Sequence, residues 1–196
     1  MLEALEHPRV YGLWQAPFAD RKLRPLLAHN DVTRPRRVLD LACGPGTNAR
    51  YFTGSEYLGV DINERYVRYA RRRYGREFVA ADVIAARFPP GARYDFILVN
   101  SFLHHLSDDE VYIVLDRVRS LLADGGHVHV LELVLPASAG PARFLARWDR
   151  GKYARPVERW RELVMGHFMV DVCEPYVVGA LGVPLWEMVY FRGQRP

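Results

Sequence analysis

Five short apolar segments occur along the first two thirds of the chain, and each predicts a β-strand. Apolar residues are contiguous or alternate in these segments, whereas in a helix they recur every three or four positions. The fourth segment is almost continuously apolar, which is typical of a strand buried on both faces of a parallel sheet. The predicted strands are residues 38–40, 56–61, 77–83, 94–101 and 127–135.

Segments with helical periodicity lie between these strands. A predicted helix over residues 63–74 carries its apolar residues on one face. A second helix begins at Ser107, which has the spacing of a capping box with Glu110, and runs to about Leu122. The sequence Asp-Gly-Gly at residues 124–126 then predicts a left-handed helix cap.

Both ends of the chain and one insertion add further predicted elements. A helix is predicted after Pro8. Residues 136–168 predict two more helices, starting near Pro141 and at Pro156, because proline is favoured in a first helical turn. The tail, residues 169–193, predicts two strands joined by a Gly/Pro-rich turn as an antiparallel hairpin.

A glycine-rich turn follows the first predicted strand. Gly44-Pro45-Gly46 allows a ligand to approach the backbone closely, because glycine has no Cβ. The pattern Gly44-x-Gly46-x-x-Ala49 also satisfies the fingerprint of dinucleotide-binding proteins, whose turn binds a pyrophosphate. Asp40 disfavours that interpretation, since a carboxylate repels a pyrophosphate and attracts a ligand cation.

Residues 38–46, Val-Leu-Asp-Leu-Ala-Cys-Gly-Pro-Gly, resemble the first motif of the class I S-adenosylmethionine-dependent methyltransferases. Residues 122–126, Leu-Ala-Asp-Gly-Gly, are similar to the element before that family's fifth strand, and the resemblance spans roughly residues 36–193. It implies an α/β fold with a Rossmann-like, doubly wound, seven-stranded sheet. That sheet is mostly parallel and ends in a C-terminal antiparallel hairpin strand.

The resemblance also implies a domain organisation and a cofactor. A single methyltransferase domain covers residues 1–196, with an N-terminal helical lid at 1–30 and a helical acceptor-site insertion at 136–168. The cofactor is S-adenosylmethionine, and its product is S-adenosylhomocysteine. Members of the family bind the amino acid portion, the ribose hydroxyls and the adenine ring of the cofactor with residues at the ends of these strands. The implied cofactor-binding residues are Asp40, Ala42, Gly44, Gly46, Asp61, Ile62, Asp82, Val83 and Asn100.

Candidate catalytic residues follow the fourth and fifth strands. Methyl transfer needs alignment of the reactants, and it needs a general base if the acceptor is a hydroxyl or a protonated amine. His104, His105 and Glu132 are the candidates, since the family lines its active site there. Local hydrogen bonding to the backbone is the alternative for the two histidines. His167 and Tyr11 are further candidates for a base.

Two segments outside the cofactor motifs supply candidate acceptor-binding residues. The loop at residues 149–155 is basic, and its cations suit a carboxylate or a phosphate. The predicted N-terminal helix contributes aromatic side chains. The alternatives are that the loop pairs with its neighbours to fix a turn and that the aromatic residues serve ordinary packing. The candidates are Tyr11, Trp14, Arg150, Lys152, Tyr153 and Arg155.

Composition narrows the class of protein. The 196 residues are 49% hydrophobic and 26% charged, which is ordinary for one globular enzyme domain. No apolar run approaches the roughly 20 residues of a membrane span, and the N-terminus lacks a secretory signal pattern. The cytoplasm is therefore the expected compartment, with no membrane partner. Two cysteines are too few for a disulfide framework or a zinc site, and no metal site is predicted.

The predicted function is S-adenosylmethionine-dependent O- or N-methylation of a small molecule, aromatic or anionic in character. The net charge of +4 and three arginine clusters make nucleic acid an alternative partner. Solvated helix faces are the favoured explanation of such clusters, so nucleic acid is not expected. An RNA or protein methyltransferase remains the alternative function, followed by an NAD-binding or non-catalytic nucleotide-binding protein.

Overall fold

Strands and helices alternate along most of the chain in the computed structural model. It describes residues 8–148, 151–180 and 183–196, with side chains from residue 18 onward except at residue 148. The strands are β1 (Arg37–Leu41), β2 (Glu56–Asp61), β3 (Glu77–Ala80), β4 (Tyr94–Asn100), β5 (Leu122–Val134), β6 (Met169–Ala180) and β7 (Val183–Gln194). The helices are α1 (Pro8–His29), α2 (Glu64–Tyr74), α3 (Asp108–Leu121), α4 (Pro141–Trp148) and α5 (Val157–Met165), with short 3-10 helices at Thr47–Tyr51 and Leu103–His105.

The described strands form one seven-stranded sheet in the order β3-β2-β1-β4-β5-β7-β6. The first five strands in this order are parallel, and β7 pairs antiparallel with both β5 and β6. The strand order reverses at β1, because β2 and β3 lie on one side of it and β4 and β5 on the other. The predicted Rossmann-like fold, mostly parallel with a C-terminal antiparallel hairpin, is confirmed.

Helices cover both faces of the sheet, and each face has its own core. Val114 of α3 and Leu163 of α5 are fully buried in the core on one face. Leu26 of α1, Val67 of α2 and Ala146 of α4 belong to the core on the other. Successive residues of a strand alternate between the two cores, as expected for a sheet buried on both sides. In the described part of the chain, no helix is long and apolar enough to cross a membrane.

Three local predictions differ from the structure. β5 begins at Leu122, earlier than the predicted residue 127, because Leu122 already pairs with Tyr94 of β4 ahead of a register shift. β3 ends at Ala80, earlier than predicted, because it is an edge strand whose pairing with β2 stops at Asp61. The predicted left-handed cap of α3 is wrong. The helix ends in the extended residue Leu122, and Gly125, at φ +73°, lies within the span of β5.

Candidate active site

Polar side chains gather where three neighbouring strands end. Asp40 lies near the end of β1, Asp61 is the last residue of β2, and Asn100 is the last residue of β4. β1 pairs in parallel with both other strands, so these carboxyl ends share one edge of the sheet. Open α/β sheets bind ligands at this edge, where the strand order reverses.

The glycine turn at this edge has unusual backbone geometry. Ala42, Gly44 and Gly46 have positive φ values of +55°, +56° and +79°. A Cβ on Gly44 would lie in open space, whereas a Cβ on Gly46 would lie 2.8 Å from the Cβ of Ala70 and from the ring of Phe78. Gly44 therefore leaves the backbone open to a ligand, and Gly46 allows close packing against α2 and β3.

Asp40 is a fully buried carboxyl group with one unused oxygen. Its Oδ2 accepts hydrogen bonds from Tyr57 Oη at 2.5 Å and from Asn48 Nδ2 at 3.1 Å. Within the described residues, its Oδ1 has no hydrogen-bond partner. Burial raises the pKa of the Asp40 carboxyl to about 7, although the hydrogen bonds from Tyr57 and Asn48 oppose the shift. A buried acceptor of this kind suits a ligand cation, which would favour the ionised carboxylate.

Asp61 connects the end of β2 to the glycine turn. Its Oδ2 accepts from the Gly44 amide and its Oδ1 from the Asn63 amide, both at 2.8 Å. Burial raises the pKa of the Asp61 carboxyl, whereas these two amide hydrogen bonds lower it. Each oxygen keeps a second lone pair for a ligand hydroxyl. The next residue, Ile62, is 72% exposed and offers an apolar surface beside the carboxylate.

The loop after β3 holds Asp82 and Val83. Asp82 is exposed and its Oδ1 accepts from the Ile84 amide at 2.9 Å, whereas Val83 is buried. Arg117 of α3 donates from Nη1 to the carbonyl oxygens of Val83 and Ala86, both at 2.8 Å. Sequence reasoning missed Arg117, because nothing in its local pattern marks it as a support for a loop more than 30 residues away.

Glu132 organises the connection between β4 and α3. Its Oε1 accepts from the amides of Phe102 and Leu103 at 2.8 and 2.6 Å, and its Oε2 lies 2.7 Å from His104 Nδ1. Both Glu132 and His104 are buried, and the backbone of Gly151 packs so closely on the His104 ring that a Cβ would not fit. His105 is exposed, with its ring centroid 4.3 Å from that of His104. The carboxylate and the His104 imidazole therefore stabilise the connection.

Arg155 is 6% exposed and its guanidinium is occupied by protein groups. Its Nε donates to Asp108 Oδ1 at 2.7 Å, and its two terminal nitrogens donate to the carbonyl oxygens of Leu103, Leu106 and Tyr153. This arrangement matches the alternative in which the basic loop pairs with its neighbours. The Arg155 guanidinium is therefore not available to an acceptor.

The other acceptor candidates have different positions. Lys152 is exposed, and Tyr153 is 43% exposed, with its amide donating to the carbonyl of His104 at 3.0 Å. Arg150 lies outside the described residues. Tyr11 and Trp14 belong to α1, but their side chains also lie outside the described set. His167, the further base candidate, is buried and its Nδ1 lies 2.7 Å from the carbonyl oxygen of Leu163 in α5.

Helix α1 lies beside the glycine turn and contributes a cation that sequence reasoning missed. Lys22 and Ala19 line a small cleft together with residues of the turn and the end of β4, among them Gly44, Asn48, Asn100 and Ser101. The Lys22 ammonium lies 5.4 Å from the centroid of the Trp186 ring. Phe18 packs edge-on against that ring at a centroid distance of 4.9 Å. In the part of the chain that the structure describes, no group of three or more metal-ligating side chains could hold a metal ion.

Comparisons with known proteins show that the chain is similar to methyltransferases. The family model of a methyltransferase domain matches residues 38–126. The trans-aconitate 2-methyltransferase of Methylobacterium radiotolerans is 32% identical over 184 residues, covering 89% of this chain and 63% of that protein. The enzyme of that name from Variovorax paradoxus is 29% identical over 189 residues, covering 88% and 69%. The chain thus spans less than two thirds of the Methylobacterium protein.

Solved structures share the fold. The N-methyltransferase NodS from Bradyrhizobium japonicum, in complex with S-adenosylhomocysteine, has a TM-score of 0.69 at 16% identity, covering 90% of this chain and 84% of that one. An O-methyltransferase from a multienzyme of Brevibacillus brevis, also with S-adenosylhomocysteine, has a TM-score of 0.69 at 15% identity, covering 100% and 79%. Together with the glycine turn and Asp40, these findings favour the sulfonium cofactor over a dinucleotide. The chain carries a methyltransferase domain over residues 38–126 and has the fold of the class I S-adenosylmethionine-dependent methyltransferases.

Proposed function

We propose that the protein transfers the methyl group of S-adenosylmethionine to a carboxylate oxygen of a small molecule. The observation that carries the cofactor half of this proposal is Asp40, a buried carboxyl with an unused oxygen beside an accessible glycine turn. When bound, the cofactor supplies a methyl group on a cationic sulfur, which a nucleophile displaces in line. The task of the protein is then to hold the two reactants in alignment.

Each part of the cofactor has a group that suits it in the site. Asp40 and Asn100 would hold the amino acid portion. Asp61 would accept hydrogen bonds from the ribose hydroxyls through its remaining lone pairs. Ile62 would cover one face of the adenine ring, which explains why a large apolar side chain is left exposed there. Asp82 would accept from the adenine amino group.

A carboxylate acceptor fits the burial of Glu132 and His104, two of the three catalytic candidates, whereas the third, His105, is exposed. Glu132 and His104 are buried and bonded to each other and to the β4–α3 connection. A carboxylic acid has an ordinary pKa of about 4, so it is already ionised at neutral pH and can attack without losing a proton. Glu132 is therefore proposed as a positioning residue, and no general base is required.

Lys22 supports the anionic character of the acceptor. Lys22 lines the cleft together with Gly44 and Asn100, and its ammonium group lies over the Trp186 ring. This pairing suits a flat molecule that carries a carboxylate. The two relatives compared above are named trans-aconitate 2-methyltransferases, so trans-aconitate is the first acceptor to test.

The test is methyl transfer from radiolabelled S-adenosylmethionine to trans-aconitate, to a panel of other small carboxylates and to total RNA. We expect label in a small carboxylate, released as methanol by mild base because a methyl ester is base-labile. Label in RNA alone, or label that resists base, would contradict the proposal. Lys22→Met should raise the KM for the acceptor about tenfold or more, since it removes a charge-assisted contact.

Gly44→Val is expected to abolish cofactor binding while leaving the protein folded. The valine side chain would enter the space through which a ligand approaches the backbone, and no protein atom lies within 4 Å of that Cβ position. The positive φ of +56° adds strain of about 1–3 kcal/mol. Calorimetry with S-adenosylhomocysteine should show no binding, and circular dichroism should show a cooperative unfolding transition. Binding within threefold of wild type would contradict the assignment of this turn.

Arg117→Met is expected to weaken cofactor binding about tenfold without a contact to the cofactor. The substitution removes the two charge-assisted hydrogen bonds that hold the Val83–Ala86 backbone, each worth about 1.5–3 kcal/mol at most. Arg119→Met on the same helix is the matched control, because Arg119 pairs only with Asp116 at the surface among the described residues. Equal dissociation constants for the two variants would argue against a supporting role for Arg117.

A further inference from the structure

A second cavity lies at the edge of the sheet opposite the cofactor-binding edge. Its volume is about 500 Å³, and it is lined by the end of α1, the segment before β1, and parts of β4, β5 and β7. None of its lining residues belongs to the candidate active site. Its chemistry is set by two histidines on β5, His127 and His129, and by the arginines that surround them.

His129 carries a buried hydrogen-bond donor that no described residue satisfies. The side chain is 1% exposed, and its Nδ1 lies 2.9 Å from Tyr190 Oη. Asn30 Nδ2 donates to that hydroxyl at 2.8 Å, so the hydroxyl gives its own proton to His129 Nδ1. Burial lowers the pKa of the His129 imidazole well below its ordinary value, which favours the neutral ring. With Nδ1 accepting from the Tyr190 hydroxyl, the proton of a neutral ring lies on Nε2. In the described part of the chain, this Nε2 has no hydrogen-bond partner.

His127 presents a second N–H group to the same cavity. The Gln194 amide nitrogen lies 2.8 Å from His127 Nε2, and an amide NH2 can only donate. His127 Nε2 is therefore the acceptor, and the ring carries its proton on Nδ1. Burial and the charge of Arg192 lower the pKa of His127, which favours this neutral form. The two ring centroids are 6.2 Å apart, so one small ligand can reach both rings.

The charged groups of the lining leave further donors unused. Arg36 is exposed, and its guanidinium forms no hydrogen bond or ion pair with the described residues. Asp31 accepts from Thr33 and Arg34, and Asp95 accepts from the backbone amides that precede and begin β1. The carboxylates of the cavity are thus already engaged, whereas the histidine N–H groups and Arg36 are not.

We infer that this cavity binds a small oxyanion, a phosphate or a carboxylate, whose oxygens accept from His129 Nε2–H, His127 Nδ1–H and the Arg36 guanidinium. A ligand with several acceptor atoms and a negative charge matches the two imidazoles and the arginine of this lining. A metal cation would meet protonated nitrogens and an unpaired arginine. The site is separate from the methyl-transfer site, so its occupation does not depend on the proposed function.

The test is a thermal-shift titration with inorganic phosphate and, separately, with succinate, at an ionic strength kept constant with sodium chloride. We expect a saturable rise in melting temperature with at least one of them. A response to phosphate alone assigns the site to phosphates, and a response to succinate alone assigns it to carboxylates. If the melting temperature rises no more than it does with chloride alone, the inference is overturned, because water then suffices to fill the cavity.

Arg36→Gln should weaken the anion response about tenfold, since it removes one charge-assisted contact. Arg72→Gln, at an exposed arginine of α2, is the matched control and should keep the wild-type response. Both variants should keep the response to S-adenosylhomocysteine, which separates this site from the active site. An anion response that is equal in the two variants overturns the inference.

His129→Phe tests the buried donor directly. A phenyl ring can keep the stacking on Phe96, where the centroids are 3.7 Å apart, but it has no N–H group. The variant should lose the anion response. Nitrogen-15 NMR of the wild-type histidines provides a second readout if the variant does not fold. His129 should be protonated on Nε2, and saturating anion should shift that resonance. A resonance that does not move would overturn the inference.

Discussion

Asp40→Asn is expected to weaken S-adenosylmethionine binding by about a hundredfold or more, because it removes the buried charge that meets the ligand cation. Asparagine has the same shape and its amide oxygen can still accept from Tyr57 and Asn48. Its NH2 group then occupies the position of the unused Oδ1, where it presents hydrogens to the ligand ammonium. Isothermal titration calorimetry at pH 8 measures the difference. Asp116→Asn, at the surface of α3, is the control.

The same substitution should change how stability depends on pH. The native Asp40 pKa is about 7, against 3.8 for the ordinary group, so the native state keeps a proton that the unfolded chain releases between these values. The ligand-free protein therefore loses stability as pH rises from about 4 to 7, by on the order of 4 kcal/mol in total. The asparagine variant should lose this pH dependence and be more stable than wild type at pH 8.

Cofactor binding should show the opposite pH dependence from stability. The cation binds the ionised carboxylate, so the affinity of the wild type should fall by up to about tenfold per unit as pH drops below 7. The affinity of Asp40→Asn should vary little over the same range. An affinity of the wild type that is constant from pH 5.5 to 8 would contradict the role of Asp40, as would tight binding by the variant.

Glu132→Leu is expected to lower the free energy of unfolding by about 3–5 kcal/mol, the largest stability effect of any substitution considered. It leaves the amides of Phe102 and Leu103 and the Nδ1 of His104 without their buried acceptor. Glu132→Gln should lose less, because its amide oxygen can still accept from both backbone amides. Urea denaturation checks both values, with Glu77→Gln at the exposed edge strand as a control within about 0.5 kcal/mol.

The glutamine variant also distinguishes positioning from catalysis. If His104 acted as a general base oriented by Glu132, methyl transfer at saturating substrate should fall by about 10²–10⁴. The proposed carboxylate acceptor needs no base, so we expect a rate within about tenfold of wild type and no new dependence on pH above 6. A Glu132→Leu variant that is as stable as wild type would contradict the buried network itself.

The features that were predicted best from the sequence are those that depend on residues close together along the chain. β2 was predicted with its observed bounds, because an apolar run ending in a carboxylate is a local pattern. The Ser107–Glu110 capping box is present as predicted, since it requires only the spacing of two residues. The seven-stranded, mostly parallel sheet with its C-terminal antiparallel hairpin followed from the family resemblance, and the structure confirms it.

Features that depend on distant partners could not be predicted in the same way. Arg155 is of a residue type that often binds anionic ligands. Its guanidinium instead donates to Asp108 and to the carbonyl oxygens of Leu103 and Leu106, which lie some 50 positions away in sequence. Lys22 has no motif of its own and is placed by the packing of α1 on β6, where Tyr176 Oη donates to the Lys22 carbonyl oxygen at 2.6 Å. β3 was predicted too long because the apolar residues after Ala80, such as Val83, lie in a loop. They pack into the core and pair with no strand.

Calorimetric titration of the wild-type protein with S-adenosylhomocysteine and with NAD, at pH 8, tests the central claim most directly. We expect stoichiometric binding of S-adenosylhomocysteine, loss of that binding in Gly44→Val, and no heat of binding with NAD. Binding of NAD, or no binding of the sulfur ligand to a folded protein, would contradict it.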